Sequence, residues 1–203
     1  MGEFADVVRR RRMTRAFAPD PVAPELLHEL VDLASRAPSA GKSQGWNLVV
    51  LEGDDTARFW DITLPVARRS RFAWQLLLDA PIIALPFADP HAYTERYSEP
   101  DKAATGLGAG PQAWPAPYWT IDASMAVMTL LLAAEDHGLG ALFFGVFRGE
   151  QELRRELGVP RGHELLGAIA LGHPAADAGT ERAGRSAARR RRTPNEIIRR
   201  GRW

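Results

Sequence analysis

Four short segments carry residue types able to act together on one ligand. Arg11-Arg12-Met13-Thr14-Arg15-Ala16-Phe17 places three guanidiniums within five residues, where a helix gives way to a turn. Such groups can converge on a phosphate, because a planar guanidinium meets phosphate oxygens with paired, charge-assisted hydrogen bonds. A solvated helix end has the same composition. Ala37-Pro-Ser-Ala-Gly-Lys-Ser-Gln-Gly-Trp46-Asn47 is rich in small residues, which let backbone approach a flat ligand. Ser39, Ser43 and Gln44 could bond the edge of a heterocycle; a plain helix–strand connector is the alternative. In Gly138-Leu-Gly-Ala-Leu-Phe-Phe-Gly145-Val146-Phe147, Gly145 interrupts an aromatic strand, which marks a bulge or a ligand lying against backbone. Arg189-Arg-Arg-Arg192-Thr-Pro194 is a solvated basic tail, or a nucleic-acid contact that the near-zero net charge disfavours.

What is missing narrows the chemistry further. Cysteine is absent, so disulfides, thiolate metal sites, iron–sulfur clusters and a cysteine nucleophile are excluded. His28, His91, His137, His163 and His173 show no metal-ligand spacing, and no metal is expected. No nucleophile elbow, Walker loop or dinucleotide fingerprint occurs; Gly106-Leu-Gly108-Ala-Gly110 is placed as loop. With no acid, base or nucleophile constellation in view, any chemistry must come from a bound cofactor.

The elements that must position these segments follow from periodicity. Phe4, Val7 and Val8 predict a short helix over 3–12, and Leu26, Leu27, Leu30, Val31 and Ala34 a longer one over 24–36 opened by Pro24. Strands are expected over 47–51, 80–87, 141–147 and 165–171, and helices over 54–79 (broken near Pro65) and 149–157. Residues 121–137 are apolar nearly all round, so that helix belongs inside a core or an interface. Residues 88–119 hold five prolines, three glycines and Tyr93, Tyr97, Trp114, Tyr118 and Trp119. They are expected to form a long irregular aromatic loop, of the kind that usually serves function. The stretch 173–192 is polar, and 175–203 is expected to be an extended C-terminal arm. The 203 residues fit one α+β domain. With 26 basic and 25 acidic residues the formal charge is +1, which disfavours bulk nucleic-acid binding. The chain start is charged and no apolar run reaches the ~18 residues a membrane span needs, so a soluble cytoplasmic protein is expected.

Taken in order, the four segments resemble the FMN-dependent nitroreductase family. Its R-R-S-x-R-x-F opening is matched by Arg11 to Phe17, and its A-P-S-x-x-N-x-Q-P-W loop by Ala37 to Trp46. Its A-x-x-x-G-L-G helix end is matched by Ala134 to Gly140, and a Leu-Gly-His-Pro element by Leu171 to Pro174. The resemblance spans residues 4 to 200. It implies a central, mainly antiparallel sheet flanked by helices, in an interlocked homodimer with FMN between subunits. It also implies that Arg11, Arg12 and Arg15 grip the FMN phosphate, joined by Arg190 and Arg192, with Met13 at a cofactor-binding position among them. Pro38 and Ser39 would cover the isoalloxazine from the second subunit, and Lys42 and Gln44 would meet the ring or ribityl chain. The amides of Gly145 and Val146 would donate to flavin N5 and O4.

Three positions depart from the family pattern: Met13 replaces a serine, Lys42 an asparagine and Gly45 a proline. The first loses one hydrogen bond, about 0.5–1.5 kcal/mol net. The second either points to solvent or sets a cation near the flavin, where it would stabilise the anionic reduced form and raise the potential. The implied activity is ping-pong hydride transfer from NAD(P)H through flavin N5 to a small electron-poor acceptor such as a nitroaromatic or quinone. Tyr93, Tyr97, Trp114, Tyr118 and Trp119 are the expected acceptor pocket. The rival readings are a specialised flavin-dependent dehydrogenase and a flavin-binding or flavin-sequestering protein of the same fold.

Overall fold

The computed structural model describes residues 3–176 and 188–203. The segment 177–187, part of the expected arm, lies outside the described residues. Five strands form one sheet: β1 (Trp46–Glu52), β2 (Ile82–Ala88), β3 (Gly140–Phe144), β4 (Glu164–Leu165) and β5 (Ala168–Gly172). The order is β1-β2-β5-β3, with β4 paired to β2, and each pairing is antiparallel. Trp46 opposes Ala88 and Phe144 opposes Ala168, so β1 begins and β3 ends at the same end of the sheet.

β2 is buried along its whole length because helices cover both faces. Its alternation sorts the cores, since successive side chains of a strand point to opposite faces. Ile82 and Ala84, with Ile169 and Leu171 of β5, pack under α2 (Pro24–Ser35) and α6 (Tyr118–Asp136). Ile83, Leu85 and Phe87, with Ala168 and Ala170, pack against Phe59 and Trp60 of α3 (Thr56–Thr63) and Leu153 of α7 (Glu150–Glu156). Leu27, Leu30 and Ala34 of α2 meet Val127, Leu130 and Leu131 of α6 in the first core. Burying one Leu-sized side chain is worth roughly 1.5–3 kcal/mol, so these two cores set the frame.

Several expected boundaries move. The 54–79 helix is α3, then α4 (Val66–Arg69) after Pro65, then a turn at Gln75–Leu77. The 165–171 strand divides at Gly167, whose φ is +150° and whose missing Cβ would stand 2.6 Å from the Phe144 carbonyl. β3 stops at Phe144, so Gly145 lies just beyond the strand rather than inside it. The 88–119 segment is not irregular: α5 (Pro90–Arg96) and three short helical turns fill it, and α6 starts at Tyr118. Asp89 caps α5, its carboxylate accepting from the His91 amide at 2.9 Å, with Pro90 at the first helical position.

Candidate functional site

The arginine segment follows α1 (Phe4–Arg10) and is laced to the frame by its own backbone. The Thr14 amide donates to the Ala141 carbonyl at 3.0 Å, Phe17 to Leu76 at 3.0 Å and Ala18 to His173 at 2.9 Å. The Thr14 side chain fills the space a Cβ would need at Gly140. This fixed strip presents the arginines. Arg11 Nε and Nη1 are buried and have no hydrogen-bond partner among the described residues. Arg11 as a whole is half-buried, and two buried guanidinium nitrogens without acceptors carry a desolvation cost that an anion would relieve. Arg12 is exposed. Arg15 donates to the Met13 carbonyl at 3.1 Å and lies 5.4 Å over the Trp74 ring. Met13 packs its side chain against both cores, a role that a serine could not fill.

A row of rings runs from Arg15 toward Gly145. Trp74 meets Phe72 edge-on at 5.7 Å, Phe72 lies 6.4 Å from Trp60, and Trp60 stacks on Phe144 at 6.1 Å. Beyond Phe144, the exposed ring of Phe147 lies over the Gly145 backbone, its Cζ 2.8 Å from where a Cβ would be. The Phe147 ring therefore occupies the space beside the exposed Gly145 backbone. Phe72, Trp74 and the strand end at Phe144 had no place in the sequence reading of the site. The only signal for them was an aromatic pair, Phe72 and Trp74, two residues apart after a proline break.

The second loop stands before β1. Gly41, Lys42 and Gln44 have φ of 61°, 57° and 52°, a left-handed conformation that costs a non-glycine residue about 1–2 kcal/mol. Internal bonds hold it: the Gln44 amide donates to Ser39 Oγ at 2.8 Å and Ser43 Oγ to the Ala40 carbonyl at 2.7 Å. Lys42 is exposed and has no ionic partner among the described residues. Gly45 is explained by packing, since a Cβ there would come within 2.7 Å of the Tyr93 ring and 2.8 Å of the Asp89 carbonyl.

The five expected pocket aromatics divide. Tyr93, Trp114 and Trp119 are buried and pack edge to face on one another. Tyr97 is half-buried against Gly41 and Trp114, and Tyr118 is exposed. In this chain they make a small third core rather than an open slot. Burial and the Asp122 hydrogen bond hold the Tyr93 phenol above its ordinary pKa, against the opposing effect of Ser39.

The C-terminal arginines are placed differently from Arg11. Arg190 forms a two-pronged ion pair with Glu196 at 2.8 and 2.6 Å, and Arg192 Nη2 bonds the Glu196 carbonyl. Thr193 and Glu196 form a capping box on α8 (Pro194–Ile197). Among the described residues these bonds stay within the arm, and Arg190 and Arg192 are not brought to Arg11. The loop is not brought to Gly145 either. Both lie at one end of the sheet, but β2 and β5 stand between β1 and β3, about 14 Å at ordinary strand spacing. No cluster of three or more potential metal ligands occurs among the described residues.

The layered antiparallel fold and the basic strip before a glycine-ended strand define a class. Residues 8–173 match the Nitroreductase family, and the chain belongs to it. An NADH dehydrogenase of Thermus thermophilus is 29% identical over 180 residues, covering 82% of this chain and 84% of that one. A nitroreductase family protein of Streptococcus pneumoniae superposes with a TM-score of 0.73 at 20% identity, covering 97% and 99% of the two chains. A structure from Exiguobacterium sibiricum in complex with FMN superposes at 0.71 with 19% identity, covering 98% and 97%.

Proposed function

We propose that the chain is an FMN-dependent NAD(P)H oxidoreductase acting on small electron-poor acceptors such as nitroaromatics and quinones. The observation that carries this reading is the Arg11 guanidinium, whose buried Nε and Nη1 are unpartnered among the described residues, in a member of this family. A phosphate monoester supplies the acceptors and the charge that this group lacks. FMN, when bound, supplies the redox chemistry, accepting two electrons from a reduced nicotinamide and passing them on.

The chain's own residues bind, orient and exclude water. Arg11, Arg12 and Arg15 would hold the phosphate, with Arg190 and Arg192 arriving on the arm. The backbone at Gly145 and Val146 would receive the ring in the place Phe147 occupies and offer amides to its edge. Pro38, Ser39, Lys42 and Gln44 would face it from a second copy of the chain. Two observations favour a pair of copies. One is the sheet width that separates the loop from Gly145. The other is an unpartnered apolar stripe on α6, where Ile121 and Met128 are exposed and Met125 and Leu132 half-covered on the same helical face. Phe4 and Val8 of α1 are exposed as well.

The test is an absorbance spectrum of the purified protein, repeated anaerobically with NADH and with NADPH. Flavin bands that bleach within seconds are expected. Flavin that binds and stays oxidised would replace this reading with a specialised flavoenzyme or a flavin carrier. A protein that refuses FMN would overturn it.

A further inference from the structure

One buried carboxylate has no role in the cores or in the proposed grip on FMN. Asp122, on the first turns of α6, is 7% exposed. Its Oδ2 accepts two hydrogen bonds, from the Tyr93 hydroxyl at 2.8 Å and from the Ala40 amide at 2.8 Å. Both donors lead to the strained loop. Ala40 lies inside it, and the Tyr93 hydroxyl stands 3.5 Å from Ser39 Oγ, which in turn receives the Gln44 amide. Since Tyr93 spends its hydrogen on Asp122, the only hydrogen left between the two hydroxyls is that of Ser39. The carboxylate thus sets the direction of the whole chain of bonds. α5 closes the clamp from the side: Arg96 Nε donates to the Gly41 carbonyl at 2.8 Å, the Tyr97 ring covers Gly41 and the Tyr93 ring covers Gly45.

We propose that Asp122 is a positioning residue that, through Tyr93 and the Ala40 amide, fixes the left-handed loop Ser39–Gln44 in the conformation that covers the flavin. The inference rests on the flavin reading above for what the loop covers. Three consecutive features support it. The loop carries two non-glycine residues in left-handed backbone, which persist only where surroundings over-determine them. The anchor is a carboxylate in an apolar cluster, a placement that costs free energy unless its hydrogen bonds repay it. The bonds tie residues 82 and 29 positions apart, so they fix the loop to the frame, which its internal bonds alone do not do.

The experiment compares Asp122→Asn and Tyr93→Phe with the wild type, and uses Leu153→Val, buried on the opposite face of the sheet, as a control for lost stability. Hydrogen exchange of the 38–45 peptide in FMN-free protein and the Kd for FMN are measured on all four. Both loop variants are expected to exchange at least 10-fold faster in 38–45 and to bind FMN about 10-fold more weakly, with acceptor KM rising more than kcat falls. Leu153→Val is expected to lower Tm while leaving both loop readouts unchanged. Tyr93→Phe keeps the ring against Gly45 and answers the question alone where Asp122→Asn fails to fold. Unchanged exchange in Tyr93→Phe, or faster exchange with an unchanged Kd, would overturn the proposal. A wild type that refuses FMN overturns the underlying flavin reading, and is recognised because the failure is then in the wild type itself.

Discussion

Arg11 and Arg190 are the same residue type with the same expected task, and the fold leaves them in opposite electrostatic states. Arg11 is half-buried at the end of α1 on a strip bonded to β3, with two buried nitrogens that meet no acceptor among the described residues. Arg190 is exposed on a short arm and already saturated by Glu196. A buried, unpartnered cation gains most from an incoming anion, because no existing bond has to be given up and little water screens the pair. An exposed, paired one must exchange a carboxylate for a phosphate and gains only the difference. Lys42 stands between them: exposed, yet without an ionic partner among the described residues.

The comparison is broken most forcefully by removing both ends of the grip. Arg11→Ala combined with Arg192→Ala is expected to abolish FMN retention, so that the double variant purifies colourless; a fully yellow preparation would remove the phosphate assignment. Arg11→Ala alone tests the asymmetry. Loss of charge-assisted bonds worth about 1.5–3 kcal/mol corresponds to roughly 10- to 150-fold weaker FMN binding. Arg190→Ala is expected to cost less than 10-fold, by fluorescence titration on the same apoprotein. Equal losses at the two positions would show that burial does not separate them.

Lys42→Met sharpens the middle case. If the cation faces the flavin, its loss destabilises the anionic reduced form and lowers the midpoint potential, by about 30 mV for each 1.4 kcal/mol. An unchanged potential would put Lys42 in solvent. The smallest effect concerns the arm. Arg190, followed by the Thr193 amide and hydroxyl, holds the Glu196 carboxyl down from its ordinary 4.5 to about 2. A depressed carboxyl stabilises the arm fully above its ordinary pKa and loses that contribution as pH falls toward 2. The α8 cap is therefore expected to loosen between about pH 4.5 and 2 and to be indifferent near pH 7. An NMR titration of Glu196 reads this directly, and a midpoint near 4.5 would show that the pair does not persist.

Much of the frame was legible in the chain because it rests on local patterns. The stripe Leu27, Leu30, Ala34 marks α2, Pro65 marks the break between α3 and α4, and the apolar run at 121–133 marks the central helix. Boundaries slipped where a long-range contact decides them. Gly167 divides a strand because the Phe144 carbonyl occupies the space of its Cβ, which is visible only once β3 and β5 are paired. The aromatic stretch 88–119 misled for a related reason. Its rings suit the lining of a pocket, but Tyr93, Trp114 and Trp119 are buried against one another, and Tyr93 bonds Asp122. Asp122 carries no local signal of its role, since its contact lies in a loop 82 residues away.

The sequence by itself determined which chemistry is absent, which segments carry arginines and small residues, and which family they resemble. Residue type and short spacing suffice for that. Only the tertiary structure decided that Arg11 holds two buried nitrogens unpartnered among the described residues while Arg190 is spoken for, and that the loop is clamped from α5 and α6. It also decided that two strands separate the loop from Gly145. These are matters of desolvation and of contacts between distant residues, and neither is encoded in the spacing of a motif.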